Sequence, residues 1–555
     1  MRQVVATQSL FFLVLVTVIS VSSPTPVFAG GYEHSAAGTR ALGRGGAFAA
    51  RADDAMALFY NPANLANLYG RQLALNTNLT LYNACHSRTG TYTSDGRVNS
   101  ADTVAGEPTT RFGAATDGLP NGYGRAELRE VCNSGPANVV PELAFTWRVS
   151  EKLGVGFGIL APPAVGSTQF GNSDLVVDYD QHQVGQLPSP SRYQLLSSEL
   201  LIFYPTVGAG YRIHPRFSVG ASFGWGVGIF DYSMMSVALG SEVLGQDIRT
   251  RLNATDAFIP RFMVSAHAIP YDNLDVMVSF LWQDDVNADG DLTFTPRYYQ
   301  ASPSDRIENC DNIDLGLIPP FPTCKKNIGG NTLHAPQPWQ LAFGVRYSDR
   351  IAPRTQDPRG VVAGAPGIQD SMATERFDVE LNVVYERNSL VDDFIIDVAD
   401  DATIPLLDLA TSLPDVAAVP HRWRDQVSLR LGGDYNVVPG FAAVRAGFSF
   451  ETNGVSDGYN TLDFMPHQRY GLHTGGTLRF GKLDLSIAYA FLRNKTMRVS
   501  QEDARIEQVV AEGNDSTTRE EAVAFAESGA GTVVNSGTYS SHFHVLSFAV
   551  NYNFQ

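Results

Sequence analysis

Few side chains of this 555-residue chain are spaced for chemistry, and the clearest set is Asp285, Asn287, Asp289 and Asp291. With Gly290 among them, these alternating oxygen donors match the first half of a calcium-binding loop. The twelfth position is Pro296 where such a loop carries Glu, and no helical pattern flanks the segment. The expectation is therefore a structural Ca2+ in an exposed loop or, without an ion, an acidic turn; no cofactor is required. Gly220-Ala221-Ser222-Phe223-Gly224 fits a serine-hydrolase elbow, which needs a helix after the serine. Strand-like alternation runs on through it instead, so Ser222 is read as a strand residue. His421 and His473 have no metal-ligating partners at short spacing, and neither a phosphate loop nor a nucleotide fingerprint is found. No catalytic residue is assigned, and the chain is read as a non-enzyme.

The cysteines say more about where the chain resides. Cys85 and Cys132 flank one polar stretch rich in Gly, Ser, Asn and Asp, and Cys310 and Cys324 flank another. Four cysteines allow three pairings, of which neighbour with neighbour is the one expected, each bond closing a loop in an oxidising compartment. A zinc site is disfavoured because no short CxxC spacing occurs. Residues 1–29 agree with export: Arg2 begins a positive segment, Leu10 to Val21 are mostly apolar, and Val27-Phe28-Ala29 makes a small-residue cleavage site. That is a secretory signal peptide, and its apolar run falls short of the about 20 residues a membrane helix needs. No later apolar run reaches that length. An exported chain without such a run enters a membrane only as strands closed into a barrel, because open backbone is not tolerated in lipid. The net charge of −17 argues against nucleic acid as a partner.

The elements that position everything else are strands. Apolar residues alternate over about ten positions at a time, as in Leu73-Leu75-Leu79-Leu81, Leu153-Val155-Phe157-Ile159 and Leu546-Phe548-Val550-Tyr552-Phe554. About fourteen such segments follow one another, the even number that single-chain bacterial barrels have. Connections alternate long and short, with short turns at Ser150-Glu151-Lys152, His214-Pro215, Pro270-Tyr271 and Gly481-Lys482; only 349–374 is too long for its place. The opposite faces are polar: Asn76, Asn78 and Thr80, then Arg346, Asp378, Glu380, Arg430, Asp434, Arg445 and Arg479. Charges on the lipid face cost roughly 2–4 kcal/mol each at mid-membrane, so these point inward. Inside they either fix a plug or hold the polar head of a substrate.

Residues 30–70 do not alternate. Gly38, Gly43, Gly45 and Gly46 with several alanines suit tight packing inside a lumen, and Asn61 reads as an N-cap with Pro62 opening the following helix. Ala41-Leu42-Gly43, Gly46-Ala47-Phe48-Ala49, Asp53-Asp54-Ala55 and Phe59-Tyr60-Asn61-Pro62-Ala63 together resemble the N-terminal hatch of the FadL/TodX family of outer-membrane transporters. Asn61-Pro62-Ala63 corresponds to the family's signature; Asn64 departs from it where Gly is commoner, and Gln555 follows the terminal Phe554. The reading is thus an all-β transmembrane antiparallel barrel of about fourteen strands over 71–555, with a hatch at 30–70, in the bacterial outer membrane.

What the resemblance implies is transport without chemistry. A hydrophobic ligand, such as a long-chain fatty acid or an aromatic hydrocarbon, is captured by apolar outer loops, passed to a site beside the hatch, and released sideways through a kinked third strand. For the kink the sequence offers Pro162 and Pro163, which cannot donate to a ladder; the alternative is a strand simply entering its loop. For capture it offers Met234, Met235, Leu239 and Leu244 in one loop, and Leu317 and Phe321 in another. Mutual packing of the loops would explain the same clusters. The family's mature N-terminus reaches the ligand, which brings in Gly30 and Tyr32. The expected partners are the ligand and outer-membrane lipid, with the protein a monomer. A general porin, which would lack the plug, and an outer-membrane lipid hydrolase, which would need converging Ser, His and a third polar group, are the alternatives.

Overall fold

A computed structural model of the chain describes residues 36–89, 103–104, 107–108, 130–162, 166–172, 175–179, 185–238, 247–296, 298–299, 324–352, 354, 370–399, 402–406, 409–511 and 513–554. The expected signal peptide, Gly30 and Tyr32 lie outside these residues, as do Pro163, Leu239, Leu244, Cys310, Leu317 and Phe321. The alternating segments are strands. In chain order they are β1 Arg71–Arg88, β2 Asn138–Arg148, β3 Leu153–Leu160, β4 Ser197–His214, β5 Phe217–Val237, β6 Asp247–Tyr271 and β7 Leu274–Gln283. The second half adds β8 Gln340–Arg350, β9 Glu375–Glu386, β10 Gln426–Val438, β11 Ala442–Glu451, β12 Arg469–Phe480, β13 Leu483–Asn494 and β14 Gly537–Phe554. Each pairs antiparallel with the next, and β1 closes the ring on β14 from Arg71↔Phe554 to Arg88↔Gly537. The result is a closed barrel of fourteen strands.

Alternation decides which face is which. Leu75, Trp147, Phe157, Phe262, Phe343, Phe448 and Ile487 stand exposed on the outer wall, while Asn76, Asn78, Thr80, Glu142 and Arg346 are buried inside. A continuous apolar belt of this kind needs lipid around it, and the architecture is that of a bacterial outer-membrane β-barrel. Two-residue turns join β4 to β5, β6 to β7 and β12 to β13 at one end, and the long connections gather at the other. The long connection 351–374 is the exception at the short-turn end. There Arg354 reaches Asp275 at 2.7 Å, and Asp370 accepts from Arg479 at 2.5 Å, so both of these residues are tied to the barrel mouth.

Several expected loops are strand instead. β5 and β6 remain paired out to Val237↔Asp247, so most of 232–257 extends the wall. At about 3.3 Å per residue, the 25-residue β6 is far longer than the 9–11 residues that cross a bilayer. Val286–Pro296 likewise forms a strand on β6 and pairs with Lys326–Ala335. The segment expected as an exposed loop is thus strand. Asn287, Asp289 and Asp291 are spread along the exposed face of a strand, where extended backbone holds alternate side chains too far apart to enclose one ion. Asn287 bonds His334 at 2.6 Å, Asp289 accepts from Thr332 at 2.9 Å, and Asp285 accepts from the Gln337 amide at 2.8 Å.

Cys85 and Cys132 form a disulfide, as neighbour pairing expects. Cys324 is also disulfide-bonded. Inside the barrel lies the hatch: α1 Thr39–Gly43, α2 Ala57–Tyr60 and a 3-10 helix Pro62–Asn67. Its Leu42, Phe48, Met56, Leu58 and Leu65 share one buried core with inward residues of the wall such as Ala74, Ala144, Met277 and Ala488.

Candidate functional site

The hatch is held to the wall in two ways. The first is close backbone contact over glycines. A Cβ on Gly154 would lie 1.9 Å from the Leu65 carbonyl oxygen, on Gly210 2.5 Å from that of Pro62, and on Gly220 2.3 Å from the Ala63 nitrogen. Strands β3, β4 and β5 thus present a flat patch on which Pro62-Ala63 and its helix rest, and the Ala63 amide donates to Ser265 on β6 at 2.9 Å. Gly432 and Gly447 receive Arg44 in the same manner on β10 and β11. Asn61 is the expected N-cap by position but not by bonding. Its side chain makes no capping hydrogen bond and donates to the Ala49 carbonyl at 2.9 Å, joining the two limbs of the hatch.

The second fastening is ionic. Arg44 donates to Asp378 at 2.7 and 2.9 Å and to Asp434 at 2.8 Å, and Arg51 contacts the same two carboxylates at 3.0 and 3.1 Å. Glu380 accepts the amides of Ala50 and Arg51 at 2.7 and 3.1 Å. From the wall, Arg346 joins Asp378 at 2.7 Å, Asp275 at 3.1 Å and Glu375, while Arg445 lies 3.3 Å from Asp434. Burial alone would push the Asp53 carboxyl up, but the guanidinium groups of Arg40 and Arg51 outweigh it and hold it well below the usual range. Of the inward charges seen in the sequence, Arg346, Asp378, Glu380, Asp434 and Arg445 are engaged with the hatch or with one another, while Arg479 pairs with Asp370 and Asp484.

On the long-loop side of the hatch is a cavity of about 1390 Å³, counting space open to solvent. Its wall is mainly apolar: Leu200, Ile202 and Tyr204 of β4, Phe230, Tyr232 and Met234 of β5, Leu252 of β6, and Leu292, Leu333, Phe394, Ile396 and Phe464 from the long connections. Of the expected capture residues, Met234 lines it. Met235, one position on, faces the other way and packs with Tyr193, Val237 and Tyr299 in a separate outer cluster. At the opposite end, by the short turns, a smaller cleft of about 420 Å³ is lined by Arg40, Asp53, Asp54, Arg479, Asp484 and Asn551. An apolar chamber and a polar vestibule thus lie on opposite sides of the hatch.

The apolar cavity reaches an interruption in the wall. β3 pairs with β4 from Leu153↔Tyr211 to Leu160↔Tyr204, and among the described residues pairing with that edge resumes at Ser167↔Glu199. Among the described residues the register between them skips Leu200–Phe203, and the Leu200 amide donates to the Gly166 carbonyl at 3.1 Å. Pro162, expected at a kink, stands at this break and lines the cavity together with Gly166.

Most of the cavity residues were not singled out in the sequence. One signal was available: Leu200-Leu201-Ile202-Phe203-Tyr204 is apolar on both faces, which lipid outside and water inside would not require. The contributions of Leu292, Leu333, Phe394 and Phe464 depend on connections folding over the mouth, and no local pattern marks them. Chemistry of the hydrolase kind is not assembled. Ser222 lies within β5. Ser449 Oγ and His473 Nε2 are 2.9 Å apart, but the further group on the ring is the Leu42 backbone, and among the described residues no carboxylate bonds it.

No protein-family model matches the chain, and no curated protein matches it in sequence. Solved structures do match in fold. A Pseudomonas aeruginosa FadL homologue superimposes with a TM-score of 0.60 at 14% identity, covering 96% of this chain and 100% of that one. The CymD monoaromatic hydrocarbon channel gives 0.54 at 13%, covering 94% and 98%, and the Pseudomonas putida toluene transporter TodX gives 0.51 at 11%, covering 94% and 99%. Barrel, hatch and strand order together give this chain the fold of FadL- and TodX-type outer-membrane channels.

Proposed function

We propose that the chain is an outer-membrane channel for passive uptake of hydrophobic small molecules. The observation that carries this reading is the apolar cavity between Ile202, Phe230 and Leu252, which ends at the break in the wall beside Pro162 and Gly166. An apolar solute leaves water for this chamber at a gain of roughly 25 cal/mol per Å² buried. It then leaves sideways into the lipid, because the axial way is closed by a hatch whose charges are paired. Met234 on the cavity wall serves capture; Asn61 and Pro62 keep the hatch compact and seated. CymD, a monoaromatic hydrocarbon channel, and TodX, a toluene transporter, are of this class. An open porin is disfavoured by the seated hatch.

The test is uptake by cells that lack such a channel and express this one, using a labelled aromatic hydrocarbon, a labelled long-chain lipid and a sugar of similar size. The reading expects uptake of the apolar probes, reduced when Ile202→Trp fills the cavity. Uptake of the sugar alone would replace it with a porin.

A further inference from the structure

We infer that the ligand of this cavity is uncharged, a hydrocarbon or an ester and not a free carboxylate or an ammonium; this rests on the channel reading above. Four cavity-lining side chains are carboxylic, namely Glu199, Asp231, Glu386 and Asp463, and among the described residues none is Lys, Arg or His. The cations that come near are committed elsewhere. Arg251 clasps Asp231 with two donors, His421 Nε2 is 2.8 Å from Asp463, and the Arg261 guanidinium lies 5.1 and 5.2 Å from the ring centroids of Phe59 and Tyr204. A carboxylate entering this chamber would lose its water, meet no uncommitted counter-ion among the described residues and lie among other carboxylates, each of which disfavours the ionised form.

The carboxylates do not make it an ammonium site either. Asp231 is paired with Arg251 and Asp463 with His421, Glu199 lies within electrostatic reach of the same Arg251, and the buried Glu386 has a partner. What remains for a ligand is neutral: Ser198, Thr250 and the amides of Gln283, Gln337 and Gln340, the first two of these amides bonded to each other at 3.2 Å. Such groups accommodate a weak dipole, and the rest of the wall accommodates hydrocarbon.

The experiment uses the full-length protein in detergent and displacement of a fluorescent apolar probe by three molecules of one chain length: a fatty acid, its methyl ester and the matching alkylammonium. At pH 8 the ester is expected to bind roughly ten-fold or more tightly than the acid. Near pH 4, where the acid is largely protonated, the two should converge. Gln340→Arg, which adds a cation to the wall, should raise affinity for the acid at pH 8 without raising that for the ester. Equal or tighter binding of the acid at pH 8, or tightest binding of the ammonium, would overturn the inference and leave the channel reading standing. Failure of all three to displace the probe from folded protein would overturn both.

Discussion

The two sides of the hatch are built from opposite materials. Toward the short turns, the lumen is crowded with Arg44, Arg51, Arg346, Asp378, Glu380 and Asp434, nearly all buried and paired. Toward the long connections, it opens into a chamber walled by Ile202, Phe230, Leu252 and Phe464. The same alternating strands supply both, so the difference lies in what each faces. The charged side meets another part of the protein and is satisfied by it. The apolar side meets no comparable partner among the described residues, and on the proposed function it is the place for a solute. A water-filled passage along the axis would have to break the first; on the proposed function, a hydrophobic solute entering the second would leave at the broken pairing beside Pro162.

The largest expected effect comes from breaking the charged side. Arg44→Ala leaves Asp378 and Asp434 without one of their shared guanidinium groups, and loss of one partner from a buried network costs about 3–5 kcal/mol. We expect an ion leak in planar bilayers where the native protein is closed, with the barrel itself still resisting unfolding in detergent. Next comes the glycine seat. Gly220→Val would force a side chain into the Pro62–Ala63 backbone, a misfit of about 1–3 kcal/mol, and should unseat the hatch with a smaller leak. On the apolar side, Leu252→Trp should lower uptake of an aromatic probe about ten-fold, equivalent to roughly 1.4 kcal/mol, while conductance stays at the native level. If filling the chamber opened the leak instead, the two sides would not be separable.

The smallest effect concerns pH. His421 and Asp463 come from different connections and meet beside the chamber, with His421 Nδ1 on the Val419 carbonyl at 2.9 Å and Nε2 on the carboxylate at 2.8 Å. Burial would lower the His421 pKa, but Asp463 outweighs it and raises it; burial would raise that of Asp463, but His421 outweighs it and lowers it. The histidine's contribution is therefore present below its ordinary value and lost as pH rises through the raised one. The carboxylate's is present above its ordinary value and lost as pH falls through the lowered one. Protease cleavage in these connections should be slowest in mildly acid buffer and roughly a few-fold faster at pH 9. His421→Asn should remove that dependence.

Much of the barrel was legible because lipid outside and a polar lumen inside impose a period of two, as Leu73 to Leu81 opposite Asn76 and Asn78 demonstrates. The hatch was legible through Gly43, Gly45 and Gly46 and the Asn61-Pro62-Ala63 motif, although the glycines that receive it, Gly210 and Gly220, lie in strands far along the chain. The chamber was mostly illegible. Its wall joins Leu200 to Phe464 across hundreds of residues, and only the two-sided apolar run Leu200–Tyr204 betrays it locally. The acidic repeat at Asp285–Asp291 was read as a loop and is strand for a related reason. Its alternation is equally that of a strand, and pairing with β6 decided which.

The account's central claim, that apolar solutes occupy the outer chamber and leave through the wall, is tested most directly by a crystal structure of the protein soaked with a brominated aromatic hydrocarbon. The prediction is anomalous bromine density against Ile202, Phe230 and Leu252, continuing toward Pro162 and Gly166. Density in the polar vestibule beside Arg40, Arg479 and Asp484, with the outer chamber empty, would contradict it.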